Sequence, residues 1–139
     1  MAYKIEKVDL WMGLAEDVPD AGEKVLVVLA KAGIDLEFLS ARPWKDGKTA
    51  FFLAPLKGAK ALKAAKSVGV QNCDWSTSFR VQGPDKHGIA MKVAAALGKA
   101  GINIVAFTGM KIGANCMFYV SVDRENGAKA LALVKKALS

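Results

Sequence analysis

The residues of this chain best placed to do chemistry stand between Gly83 and Ile104, in the run G-P-D-K-H-G-I-A-M-K-V-A-A-A-L-G-K-A-G-I-N-I. Asp85, Lys86, His87 and Gly88 precede a segment in which Ile89, Val93, Ala96 and Leu97 recur at helical spacing, so they read as a loop entering a helix. A helix start carries N–H groups without intrahelical acceptors and the positive end of the helix dipole, and a carboxylate is a natural guest for both. Gly88 has no side chain to hold that guest away. The bland alternative is that Asp85 only caps the helix and Gly88 only eases packing. Binding is the chemistry these residues allow, and catalysis is poorly served. His87 is the only histidine, and no motif gives it a partner. No nucleophile stands beside a base and no phosphate-binding P-loop occurs. Cys73 and Cys116 lie far apart without C-x-x-C spacing, so buried reduced thiols are expected, with no metal, no cofactor and no enzyme activity.

The elements that position these residues repeat. The helix is predicted from about Asp85, its N-cap, to Lys99; Gly101 stops it in the left-handed conformation, and a strand opens at Ile102-Asn103. Shifted by 68 residues, Asp17-Val-Pro-Asp20 stands where Asp85-Lys-His-Gly88 stands, and Leu29 to Asp35 repeats Leu97 to Asn103. Gly58-Ala-Lys-Ala-Leu62 returns as Gly127-Ala-Lys-Ala-Leu131. The same unit is therefore expected twice, over residues 1–70 and 71–139.

In chain order, Tyr3 to Leu14 predicts one or two half-buried strands. A helix follows over Asp20 to Ala32, with Val25, Val28 and Leu29 inward and Gly22 weakening its start. A strand over Ile34 to Arg42 turns at Asp46-Gly47 and returns antiparallel over Lys48 to Ala54. Leu56 to Ser67 predicts a helix with Leu56, Ala59, Leu62 and Ala65 inward, and Lys57, Lys60, Lys63 and Lys66 as a solvated face. After Val70 to Trp75 come strands at Thr77 to Val81, Ile102 to Met110 and Asn115 to Val122, then a helix from Arg124 to Leu138 capped by Asp123. Each half reads strand, helix, strand, strand, helix, which is a ferredoxin-like α+β layer. Nothing after the last helix serves as a fourth strand for the second unit. The repeat sets Tyr3 to Lys7 opposite Gln71 to Trp75, so that segment is expected to cross to the second unit or to a neighbouring chain.

With 53% hydrophobic residues the chain can build a core, and its net charge is +7. Divided after Gly69 the charge is +2 and +5, spread over helix faces rather than gathered in the basic stripe of a nucleic-acid binder. RNA binding through an aromatic sheet face, or a purely protein-interaction role, is the alternative function. Phe51, Phe52, Phe118 and Tyr119 are available, but adjacent residues point to opposite faces of a strand, so one of each pair must be core. Trp11, Trp44 and Trp75 suggest a homo-oligomer. No apolar run approaches the roughly 18 residues of a membrane span, and no secretory leader is visible, so a cytoplasmic protein is expected.

Gly83-Pro-Asp-Lys-His-Gly88, with Val93 to Leu97 and Ala100-Gly-Ile-Asn-Ile104, resembles the ACT domain, a small regulatory βαββαβ module that binds amino acids. Nearly the whole chain is similar to short stand-alone tandem-ACT proteins. The resemblance implies a joint eight-stranded antiparallel sheet with helices on one face and an amino acid at the seam between units. It places Asp85, Lys86, His87, Gly88, Ile89, Gly101 and Asn103 at the ligand. His87 departs from the proline common before that glycine. In the first unit Pro19 is present, but Asp20 replaces the glycine and Asp35 the asparagine. A carboxylate at Asp20 would repel the ligand's own.

Overall fold

The computed structural model describes residues 2–139. The elements run β1 (Lys4–Val8), β2 (Trp11–Glu16), α1 (Ala21–Lys31), β3 (Phe38–Pro43), β4 (Lys48–Ala54), α2 (Ala59–Ser67), β5 (Gln71–Asn72), β6 (Ser76–Pro84), α3 (Ile89–Lys99), β7 (Ile104–Ile112), β8 (Asn115–Asp123) and α4 (Gly127–Ala137). A short 3-10 turn, Arg124–Asn126, leads into α4. The ladders make two antiparallel four-stranded sheets, in the orders β3-β4-β2-β5 and β1-β6-β8-β7, in place of the joint sheet that the resemblance implied. The protein is α+β, with βαββαβ-like units. Contacts gather residues 9–73 into one compact unit and residues up to Val8 with those from Asp74 into the other, where the sequence reading divided the chain at 70/71.

In the unit of residues 9–73, β2-α1-β3-β4-α2-β5 is a complete βαββαβ succession. In the other, β6-α3-β7-β8-α4 lacks its final strand, and β1 takes that place beside β6, antiparallel, with Lys4 opposite Gln82 and Val8 opposite Ser78. β1 pairs over five residues where β5 has two. Within each unit the two helices pack together on one face.

Under α3 and α4 the core gathers Ile5, Phe79, Val81, Val93, Leu97, Val120, Val122 and Val134. A register shift between Ile104 and Ala106 lets Ile104 and Phe107, three apart, both pack against that core. Gly109 lies under the Phe118 ring, where a Cβ would stand 2.2 Å from Cδ1. On the opposite face Ser78 and Ser121 are cross-strand neighbours whose buried hydroxyls bond each other at 2.6 Å.

Some expectations need correction. Helix propensity makes Gly22 a weakness in α1, but a Cβ there would lie 2.6 Å from Phe51 Cζ, so glycine is what lets α1 approach the sheet. α2 begins three residues later than expected, after Gly58 at φ +89. Its buried stripe is therefore Ala61 and Ala65, with Leu56 buried ahead of the helix and Ala59 and Leu62 exposed. Lys57, Lys60, Lys63 and Lys66 are all exposed. Asp46 and Gly47 both take positive φ in the β3–β4 turn, as the Asp-Gly pair allows.

Candidate functional site

The candidate loop leaves the end of β6 and enters α3, and its tethers concentrate on two residues. Pro84 offers its carbonyl to the Tyr3 hydroxyl at 2.7 Å and to the Cys116 thiol at 3.6 Å. Asp85 donates its backbone N–H to Ala114 O at 2.8 Å, and its carboxylate pairs with Lys111 at 3.1 Å. Lys86 and His87 follow, both exposed. Gly88 then adopts φ +86, ψ 8 and starts the helix.

Asp85 is thus not the N-cap that the sequence suggested. The cap position belongs to Gly88, and no side chain caps α3. Asp85 lies too early to reach the first-turn amides and spends its charge on Lys111. The left-handed residue between loop and helix is one that glycine adopts without the cost a Cβ brings. Asp123 likewise makes no side-chain cap bond; it precedes the 3-10 turn, and Asn126 stands ahead of α4.

Gly101 and Asn103 sit at the other end of α3. Gly101, at φ +71, closes the helix with its N–H on Gly98 O, and Ile102 N–H returns to Leu97 O. Eleven helical residues rise about 16 Å, so one copy of the unit does not bring Asn103 to the Lys86–Ile89 amides. The structure gathers Asp85, Lys86, His87, Gly88 and Ile89, and leaves Gly101 and Asn103 apart from them.

The loop of the other unit is anchored in the same way, through Asp17 N–H on Gly47 O at 3.0 Å. Its helix starts and ends in register with α3, Ala21 matching Ile89 and Lys31 matching Lys99. The backbone differs at the junction: Asp20 is right-handed, at φ −100, where Gly88 is left-handed. The Asp20 carboxylate pairs with Lys24 at 3.4 Å.

Charge separates the units more sharply than the sequence division suggested. Residues 1–8 and 74–139 carry 11 basic against 5 acidic side chains, while 9–73 carry 9 against 8. Nearly all of the surplus positive charge lies in the unit that contains the Lys86–Gly88 loop, which favours an anionic guest.

Sequence reading missed Tyr3, Cys116 and Lys111 as parts of this site. A strand alternation that aligns Tyr3 with Gly83 would have been the signal for Tyr3. Burial, then the charges of Cys116 and Asp85, pushes the Tyr3 phenol above its ordinary value of 10.0. Burial, then Asp85, pushes the Cys116 thiol above 9.0. Both groups bind their protons more tightly when folded, so their contribution is whole below the unfolded values and lost as pH rises through the folded ones. Stability should hold through neutral pH and fall above pH 9.0 to 10.0. The double variant Tyr3→Phe, Cys116→Ala should lose less between pH 8 and 11, as read by urea midpoints.

Among the described residues no three His, Cys, Asp or Glu side chains cluster to hold a metal, and Cys73 and Cys116 are both buried. Among the described residues, no helix is long and apolar enough to cross a membrane. The aromatic pairs divide between faces. Phe51 is core, while Phe52 meets Trp44 edge-on at 5.9 Å and lies under Arg42 at 4.7 Å. Phe118 packs on Phe107 at 5.6 Å, and Tyr119 is buried.

No family model matches the chain and no curated protein matches it in sequence. Solved structures do match in fold. The ligand-free regulatory subunit of aspartate kinase from Thermus thermophilus aligns at TM-score 0.68 and 18% identity, over 100% of this chain and 98% of that one. The corresponding subunit from Thermus flavus aligns at TM-score 0.63 and 20% identity, over 100% and 98%. The chain has the fold of a tandem ACT protein. Protein BT0572 from Bacteroides thetaiotaomicron aligns at TM-score 0.79 and 19% identity, over 95% of this chain and 89% of that one. Residues 9–73 make up one unit of that fold, and β1 completes the other.

Proposed function

We propose that this tandem ACT protein is a non-catalytic regulatory module whose Asp85–Ile89 loop takes the carboxylate of a small ligand, an amino acid. One observation carries the reading: α3 starts at a left-handed glycine without any side-chain cap. Exposed Lys86 and His87 flank that start, and the charge of Asp85 is already met by Lys111. The fold shared with aspartate kinase regulatory subunits supports a regulatory role. An ammonium group that turns to Asp85 would compete with Lys111, and Asn103 would serve the ligand only from another unit or copy.

The test is a thermal-shift panel of the twenty amino acids. A ligand at about 100 times its dissociation constant adds about 2.7 kcal/mol, which moves the midpoint of a unit this size by on the order of ten degrees. Reversing charge with Lys86→Glu should then weaken that ligand about tenfold, with little cost to the fold because the side chain is exposed. Gly88→Asp is the poorer test, since a residue at φ +86 strains on gaining a Cβ. A flat panel would sink the reading.

A second reading, assembly with further copies, is favoured by β7. It is a nine-residue edge strand on which Val105, Met110 and Ile112 are exposed and Lys111 is the one charge. The other edge of that sheet, β1, carries Lys4, Glu6 and Lys7, the charges that discourage edge pairing. Trp44 and Trp75 are also exposed, while Trp11 packs against a core. Light scattering should show species above the 14.7 kDa monomer at micromolar concentration, and Val105→Lys should reduce them. A monomer throughout that range would exclude assembly.

A further inference from the structure

The N-terminal strand does more than close a sheet. The register that sets Lys4 opposite Gln82 brings Tyr3 opposite Gly83, on the helix-covered face. The Tyr3 ring is buried and lies against Gly83 so closely that a Cβ there would stand 2.6 Å from Cδ1. From that seat its hydroxyl reaches Pro84 O. The carbonyl of Pro84 and the N–H of Asp85 belong to one planar peptide group, which cannot turn at one end without turning at the other. Both ends are held: the carbonyl by Tyr3 at 2.7 Å and more weakly by Cys116, the N–H by Ala114 O at 2.8 Å. This clamped plane fixes the direction in which the chain leaves β6. Lys86, His87 and Gly88 extend from it to α3.

We infer that Tyr3 is a positioning residue for the Asp85–Gly88 loop, so that the site is assembled from two segments 81 residues apart in sequence. Its link to ligand binding rests on the loop reading proposed above. Docking of Tyr3 and binding at the loop then favour each other, since any coupling between two sites is reciprocal.

Tyr3→Phe tests this with little risk to the fold, because the ring stays on Gly83 and only the hydroxyl goes. Hydrogen exchange should speed about fivefold at the Asp85 and Ile89 amides, while the Phe79 and Val120 amides in the sheet centre keep their rates. The amino acid with the largest thermal shift should bind about fivefold more weakly by calorimetry. Gly83→Ala sets a Cβ 2.6 Å from the Tyr3 ring and 2.8 Å from Ala2 O, so it displaces the segment that carries Tyr3 with the hydroxyl still present, and should reproduce the effect at Asp85 and Ile89. Unchanged exchange at those two amides in Tyr3→Phe overturns the inference. So does a rise shared equally by Phe79 and Val120, which would make Tyr3 a residue of general stability. Local acceleration with no amino acid bound by either protein overturns the ligand reading and leaves the positioning role established.

Discussion

Removing residues 2–8 should yield a protein that aggregates, or whose β6-containing unit unfolds. The truncation strips a five-residue ladder from β6 and opens a nine-residue strand edge, the kind of surface that recruits other chains. It also takes Tyr3 and Ile5 out of the cluster that holds Phe79, Val81 and Cys116. Burying one such side chain is worth about 1.5–3 kcal/mol, so two account for about 3–6 kcal/mol of a stability that for a typical domain is only about 5–15. Size-exclusion chromatography with light scattering reads the aggregation, and urea unfolding reads the stability. A monodisperse truncation with an unchanged midpoint would show that β1 contributes neither edge protection nor core.

Phe79→Ala should cost about 3–5 kcal/mol, the range for emptying a buried aromatic site whose surroundings cannot collapse. Phe79 is 0% exposed on β6, which lies between β1 and β8, and it shares its cluster with Val93, Leu97, Val120 and Val134. The neighbours on β8 are fixed by the ladder and those on α3 and α4 by helix packing, so little relaxation is available. Leu14→Ala, at a side chain 43% exposed, should fall within about 0.5 kcal/mol of the parent. Both are read from urea midpoints at constant slope. A loss under about 1 kcal/mol at Phe79 would mean that the cavity is filled by rearrangement.

The fold was legible wherever local signals agreed with the packing. The repeat, the Asp46-Gly47 turn and the Ile89/Val93/Leu97 face each carry their own periodicity or turn chemistry, and all appear in the structure. α2 was misphased because its inward residues are alanines, which give a weak stripe among lysines, and because Gly58 rather than Leu56 sets where the helix begins. The site was half legible. Residues contiguous in sequence, Asp85 to Ile89, were found together. The cap was misassigned because a carboxylate three residues ahead of Gly88 looks like a capping residue until the left-handed turn between them is known. Tyr3 immediately precedes β1, and Lys111 and Cys116 lie on β7 and β8. They meet Pro84 and Asp85 through strand register, which depends on how distant segments pair and not on the residues around each one.

The placement of β1 also orders events during synthesis. Its partner strand β6 begins at Ser76, so residues 4–8 emerge well before any of it exists. At about 5–20 residues per second this interval is several seconds, long enough for the unit of residues 9–73 to form while β1 waits unpaired. The alternation of Lys4, Glu6 and Lys7 with Ile5 then serves a second purpose. It keeps the waiting segment too charged to join a stray sheet edge, and Ile5 and Tyr3 find cover only when the last strands arrive.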